Sequence, residues 1–144
     1  MTTKATTPTF KTSSTIIEVP FFDVDAMNIV WHGHYVKYLE VARCDLLRLF
    51  DYDYLQMKES GYLWPIVDMR IKYVGSAKFS HHIEVFTELV EIENRIKINY
   101  RIKDVASGEV LTKAHTVQVA VDVTTGEMQF ESPAILYEKL GLSK

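Results

Sequence analysis

Between positions 96 and 102 apolar and polar residues alternate: Ile96, Ile98, Tyr100 and Ile102 interleave with Lys97, Asn99 and Arg101. A period of two predicts a strand with one face buried. Ile83, Val85 and Leu89 against Glu84 and Glu88 predict the strand before it, with Glu93-Asn94 as the turn between. Val117, Val119 and Val121 continue a third long strand that begins near Glu109, after the turn Ala106-Ser107-Gly108. Residues 65–74 supply a further strand, and residues 15–22 (TIIEVPFF) an opening one ended by Pro20 or the acidic turn beyond it. From 34 to about 50 the period changes: Tyr35, Tyr38, Leu39, Ala42, Leu46 and Leu49 share one helical face. Val36, Val41 and Cys44 lie on other sides, so this helix is apolar over more than one stripe and is expected to be enclosed. Residues 52–61 read as a second short helix or turn stopped by Gly61, and Ser132-Pro133 as the capped start of a last helix closed by Gly141.

The order is strand, long helix, then four strands in meander-like succession, which predicts an α+β domain with a curved sheet around one central helix. The 144 residues suffice for one core, and no repeat or internal boundary divides them. Residues 1–14, rich in Thr, Ser and Lys, read as a flexible N-terminal tail without the apolar stretch of a secretory signal, leaving 15–144 as the domain. A net charge of -3 with no dense basic stripe gives no reason to expect nucleic acid, and no apolar run is long enough for a membrane span. Cys44 is the sole cysteine, so no internal disulfide forms; a reducing, cytoplasmic setting is expected.

The chemistry concentrates in residues 21–43, FFDVDAMNIVWHGHYVKYLEVAR. A carboxylate precedes a polar turn at the start of the long helix. The first turn of a helix leaves backbone N–H groups without intrahelical partners, and those donors favour a phosphate or a developing oxyanion. A nearby carboxylate can attack an acyl carbon or activate water. A thioester suits such a site, because its thiolate leaves with little help from a proton.

Asp-x-Asp, then Ile-Val-Trp-His-Gly-x-Tyr, then Tyr-Leu-Glu-x-Ala-Arg resembles the signature of the 4-hydroxybenzoyl-CoA thioesterase family and its acyl-CoA thioesterase relatives. The resemblance implies the hotdog fold, a curved antiparallel sheet of about five strands wrapped around the long helix. It implies a hydrolase cleaving acyl-CoA or acyl-carrier-protein thioesters to free acid and thiol. It places Asp25 as general base or nucleophile and His32 where a backbone N–H at the helix start polarises the carbonyl; Gly33, Tyr35, Glu40 and Arg43 match helix positions. It further implies a homodimer through a strand edge, often paired again into a homotetramer, with the active site between subunits. No separate cofactor is implied, coenzyme A entering only as part of the substrate. Two positions depart from the pattern. Asn28 stands where many relatives have glycine, although asparagine tolerates a left-handed backbone. The stretch Gly75-Ser-Ala-Lys-Phe-Ser-His-His replaces a common Pro-Ala pair followed by acids.

Plainer readings stand beside these. By spacing alone Asp25 could simply cap the turn. Asp23 reads as a structural residue bonded to the loop backbone. His34 is a secondary candidate beside substrate, as is Tyr35. Glu40, three positions before Arg43, reads first as an ion-pair partner and second as the carboxylate used by another branch of hotdog thioesterases. Lys72, Lys78 and Lys113 are candidates for coenzyme A phosphates. Tyr35, Tyr38, Trp31 and Trp64 read mainly as core. His32 and His34 diverge on a helix and His81 and His82 on a strand, so no metal site is expected. Cys44 has no local mark of a nucleophile. The competing functions are a hotdog dehydratase acting on β-hydroxyacyl thioesters and a non-catalytic module that binds acyl thioesters.

Overall fold

A computed structural model describes residues 9–144. The alternating segments form β1 (Lys11–Glu18), β3 (Ile66–Tyr73), β4 (His82–Glu91), β5 (Ile96–Asp104) and β6 (Val110–Gln118), with the short β2 (Tyr62–Leu63) and β7 (Val121–Asp122) apart from them. The five longer strands make one antiparallel sheet in the order β1-β4-β5-β6-β3, while β2 pairs with β7. The helices are α1 (Tyr35–Arg48), α2 (Tyr54–Glu59) and α3 (Ala134–Lys139). α1 lies on the inner face against β1 and β4, and the core forms between them from Leu39, Ala42, Leu46, Ile83, Val85, Leu89, Ile98 and Ile102.

Several expectations need correction. β1 begins at Lys11, so Lys11, Thr12, Ser13 and Ser14 belong to a strand rather than the tail. Hydroxyl side chains hide its alternation, but every residue from Lys11 to Glu18 pairs with β4. The rest of the expected tail, residues 1–8, lies outside the described residues. The last strand divides: after Gln118 the chain leaves the main sheet, and Val121-Asp122 pairs with Leu63-Tyr62. Only β4, β5 and β6 form a meander. β3 precedes β4 in the chain yet pairs with β6, becoming the free edge opposite β1. Ser132 does not cap α3: Pro133 occupies the N-cap position, and the Ser132 hydroxyl is buried without a partner among the described residues.

α1 is enclosed on one side only. Tyr35, Tyr38, Leu39, Ala42, Arg43, Leu46 and Leu47 are buried. Lys37, Glu40, Val41, Arg48 and Leu49 are exposed, Leu49 contrary to its assignment to the apolar face. The apolar residues beyond the buried stripe thus remain partly open. Among the described residues no helix is long and apolar enough to cross a membrane.

Candidate active site

The link from β1 to α1 is a pinned hairpin. After a single 3-10 turn (Phe21–Asp23), the chain pairs with itself at Val24↔Val30, and Asp25 donates its N–H to the Ile29 carbonyl at 2.9 Å. The turn closes through Asn28 N–H to the Asp25 carbonyl at 3.0 Å, with Asn28 at φ 63, the left-handed conformation its side chain tolerates. The returning arm is fixed from outside by Ile29↔Lys78 and by Val30 N–H to the Ala77 carbonyl at 2.9 Å. Tyr35 secures the same connector, its hydroxyl accepting from Ala77 N–H at 2.9 Å.

Asp25 projects outward from this hairpin and is exposed. Its Oδ1 accepts from Met27 N–H at 2.8 Å and, more weakly, from Ile29 N–H at 3.3 Å. The capping reading is therefore correct for one oxygen. Oδ2 takes no donor among the described residues. Two backbone donors fix the carboxylate's orientation through one oxygen and leave the other unengaged.

Beyond the hairpin, Trp31 N–H returns to the Asp23 carbonyl at 3.1 Å, and a second 3-10 turn (His32–His34) leads into α1. The carboxylate-bearing arm therefore runs directly beside the helix start. At that tip the amides of His32 and Gly33 take no acceptor among the described residues, whereas the next ones are occupied, His34 N–H by the Trp31 carbonyl and Tyr35 N–H by the His32 carbonyl. The carbonyl of His32 also accepts the Tyr73 hydroxyl at 2.8 Å, which ties the tip to the edge strand β3. The Trp31 ring lies over Gly33 so closely that a Cβ at that position would overlap it. A side chain there would have to displace the exposed Trp31 ring, while the backbone φ itself is ordinary. The His32 side chain is exposed, its ring 5.0 Å from Trp31 and 6.0 Å from Tyr73.

Asp23 is placed differently from its reading in the sequence. It does not bond the loop backbone through its side chain. It is buried, 1% exposed, and its two oxygens receive the Lys37 ammonium and the Tyr38 hydroxyl, the latter at 2.7 Å, with His34 Nδ1 at 3.8 Å. Burial alone pushes the Asp23 carboxyl upward, but the hydrogen bonds from Lys37 and Tyr38, and the nearby charges, outweigh it and hold the group below its ordinary range. The same arrangement, after burial itself, pushes the Tyr38 hydroxyl well above its ordinary value. The only hint in the sequence was spacing: positions 34, 37 and 38 share a helical face.

The remaining candidates separate. Glu40 is exposed and lies 3.7 Å from Arg43, the ion pair that spacing suggested. Lys72 and Lys113 sit directly across from each other on β3 and β6, while Lys78 belongs to the connector that braces the hairpin. Tyr35, Tyr38 and Trp64 are core, but Trp31 is 53% exposed beside the amide tip. A cavity of about 700 Å³ opens among Phe10, Ile92, Tyr137 and Leu142, at the far end of β4 from the hairpin, and contains no residue of the motif.

Fold and site together define an α+β hotdog domain with open amides at the start of its long helix and an exposed carboxylate on the hairpin that leads into it. The chain belongs to the thioesterase-like superfamily, whose family pattern it matches over residues 19–140. A Bacillus subtilis relative, YneP, described as a candidate acyl-CoA thioesterase, is 33% identical over 108 residues, covering 74% of this chain and 77% of its own length. The acyl-CoA thioester hydrolase YbgC of Escherichia coli O6:H1 is 25% identical over 107 residues, covering 74% of this chain and 79% of its own. Among solved structures, a DHNA-CoA thioesterase from Staphylococcus aureus superposes with a TM-score of 0.75 at 26% identity, covering 83% of this chain and 80% of the other.

Proposed function

We propose that this protein hydrolyses acyl-CoA thioesters to a free acid and coenzyme A, with Asp25 as the reacting carboxylate. The observation that carries the reading is the pair of open amides at His32 and Gly33 beside an arm whose carboxylate keeps one oxygen unengaged. The thioester carbonyl oxygen accepts from those amides, which face the charge that develops as its carbon becomes tetrahedral. The free oxygen of Asp25 takes a proton from water as that water attacks the carbon. The C–S bond then breaks, and the thiolate leaves and is protonated by solvent. Alternatively Asp25 attacks the carbon itself, expels the thiolate, and water opens the resulting anhydride. Trp31, exposed beside the tip, is placed to flank the acyl group.

The fold supports a homodimer through β3. This strand is hydrogen-bonded to β6 on one side only, and an open edge of this length is a template for another strand. Tyr73 carries the same edge to the helix tip, so a second copy paired there would complete the wall of the site. The half-buried thiol of Cys44, free of any disulfide, fits a cytoplasmic enzyme.

The test is release of free thiol from short, medium, long and aromatic acyl-CoAs. Turnover of at least one is expected, with Asp25→Asn lowering kcat by roughly a hundredfold or more. Saturable binding without thiol release would instead identify a binding module. Full activity in Asp25→Asn, with collapse in Glu40→Gln, would transfer the role to the helix carboxylate.

A further inference from the structure

The two open amides at the helix tip are not equivalent. The His32 N–H belongs to the peptide unit whose carbonyl is that of Trp31, and this oxygen accepts one donor, His34 N–H at 2.9 Å. The Gly33 N–H belongs to the unit whose carbonyl is that of His32, and this oxygen accepts two, the Tyr35 N–H and the Tyr73 hydroxyl, the latter at 2.8 Å. A peptide unit is planar and trans, so its C=O and N–H point in opposite directions. A donor seated on the His32 oxygen therefore lies behind the Gly33 N–H and leaves its open side clear.

The second bond answers no structural need. The Tyr35 N–H already satisfies the His32 carbonyl, and Tyr73, 46% exposed, has water available for its proton. The phenol is nonetheless held in a rigid frame. Tyr73 closes β3 opposite Thr112, and the two amides that follow, Val74 and Gly75, both donate to the Leu111 carbonyl at 2.9 Å. Its ring meets Tyr35 edge-on at 5.3 Å, and Tyr35 is buried and itself anchored to Ala77. A donor on a carbonyl oxygen draws electron density out of the amide and makes its N–H a stronger donor, by about 10–30% per bond in hydrogen-bonded chains.

We propose that Tyr73 is a positioning residue for thioester hydrolysis: its hydroxyl orients the His32–Gly33 peptide and strengthens the Gly33 N–H that receives the thioester carbonyl oxygen. This rests on the thioesterase reading above and deepens it by distinguishing the two amides. In this role Tyr73 touches no reacting atom. As the carbonyl carbon becomes tetrahedral its oxygen gains negative charge, and a more polarised N–H favours that charge more than it favours the neutral carbonyl. The contribution falls on the transition state and is read in kcat. It requires no movement, because the strand end and the helix tip are joined before substrate arrives.

The experiment compares Tyr73→Phe, and protein carrying 3-fluorotyrosine at this position, with the unaltered protein on one acyl-CoA. Phenylalanine keeps the ring and loses the donor; fluorine acidifies the hydroxyl and makes it a stronger one. In Tyr73→Phe kcat should fall about twofold to eightfold with KM level. That is about 10–30%, counted in logarithms, of the roughly hundredfold to thousandfold loss on removing an oxyanion donor outright. The fluorotyrosine protein should hold kcat at or above the parent value. Nuclear magnetic resonance supplies a readout that mere packing of the ring would not move: the Gly33 amide nitrogen and His32 carbonyl carbon should both shift upfield in Tyr73→Phe. Unmoved resonances, moved resonances with unchanged kcat, or a kcat loss matched by a rise in KM and a fall in Tm would each overturn the proposal. If the unaltered protein cleaves none of the acyl-CoAs tried, the thioesterase reading fails by itself. The resonances then still decide whether Tyr73 polarises the Gly33 amide, shifting if it does and standing still if it does not.

Discussion

Replacing Asp23 by asparagine keeps the shape of the side chain and removes its charge. The amide oxygen can still accept from Lys37, and the amide nitrogen can donate to the Tyr38 oxygen, so no buried group is left wholly unpartnered. What is lost is the charge-assisted part of two hydrogen bonds. A hydrogen bond to a charged group contributes about 1.5–3 kcal/mol. Lys37, 46% exposed, can turn to water and recovers most of its share, so its contribution is discounted. The Tyr38 bond is buried and is lost nearly in full. The net cost is about 2 kcal/mol, which for a domain of this size lowers Tm by about 4–8 °C. The pH dependence gives a sharper check. The folded carboxyl sits below its ordinary value, so its stabilisation is complete above the unfolded pKa, near 3.8, and is lost as pH falls through the lower folded value. Denaturant unfolding should therefore show a constant gap between Asp23→Asn and the unaltered protein from pH 8 to about 5, closing below 4. A gap that persists unchanged to pH 3, or a variant as stable as its parent at pH 7, would refute the reasoning. Because Asp23 also holds the hairpin against α1, kcat should fall several-fold at neutral pH.

Other substitutions test the loop and the tip. Gly33→Ala forces the Trp31 ring aside and should reduce activity by about tenfold while altering tryptophan fluorescence; an unchanged spectrum would contradict the contact. Asn28→Gly should be neutral in stability, whereas Asn28→Ala should cost about 1 kcal/mol for the left-handed backbone at φ 63, as read by denaturant midpoints. Size-exclusion chromatography with light scattering should give a dimer, and Ile71→Pro, which disrupts the β3 edge, should shift it toward monomer and lower turnover.

Local patterns announced most elements, and long-range pairing decided what they left out. The alternation from Ile96 to Ile102 and the helical face from Tyr35 to Leu46 became β5 and α1 because each depends on neighbours in sequence. β1 was read short because Thr12, Ser13 and Ser14 carry no apolar signal; their place is set by β4, some seventy residues away. β3 was placed beside β4 by simple succession, and only pairing with β6 shows it to be an edge. At the site, the open amides of the helix start and the left-handed backbone at Asn28 were legible in the sequence. The clamp on Asp23 needed the hairpin to return alongside α1, and the apposition of Lys72 and Lys113 needed the register of β3 and β6. Neither is a property of a short stretch of chain.

Glu40 has a contact of its own on the buried side of α1. Arg43 is 2% exposed, wedged between α1 and the sheet, and its Nε finds no acceptor among the described residues. Burial opposes its charge, yet Tyr100 and the Glu40 carboxylate more than offset this and push its pKa upward. Glu40 reaches that guanidinium from solvent at 3.7 Å, while five residues, about 7.5 Å of helix rise, separate it from Tyr35 at the helix start. Its carboxylate thus lies near a buried cation, about a turn and a half along the helix from the open amides. Glu40→Gln should cost about 0.5–1 kcal/mol, the modest figure following from its own exposure, with kcat within twofold of the parent. Thermal unfolding and steady-state turnover on the same preparation separate the two roles: a stable variant with lost turnover would return Glu40 to the chemistry and displace Asp25.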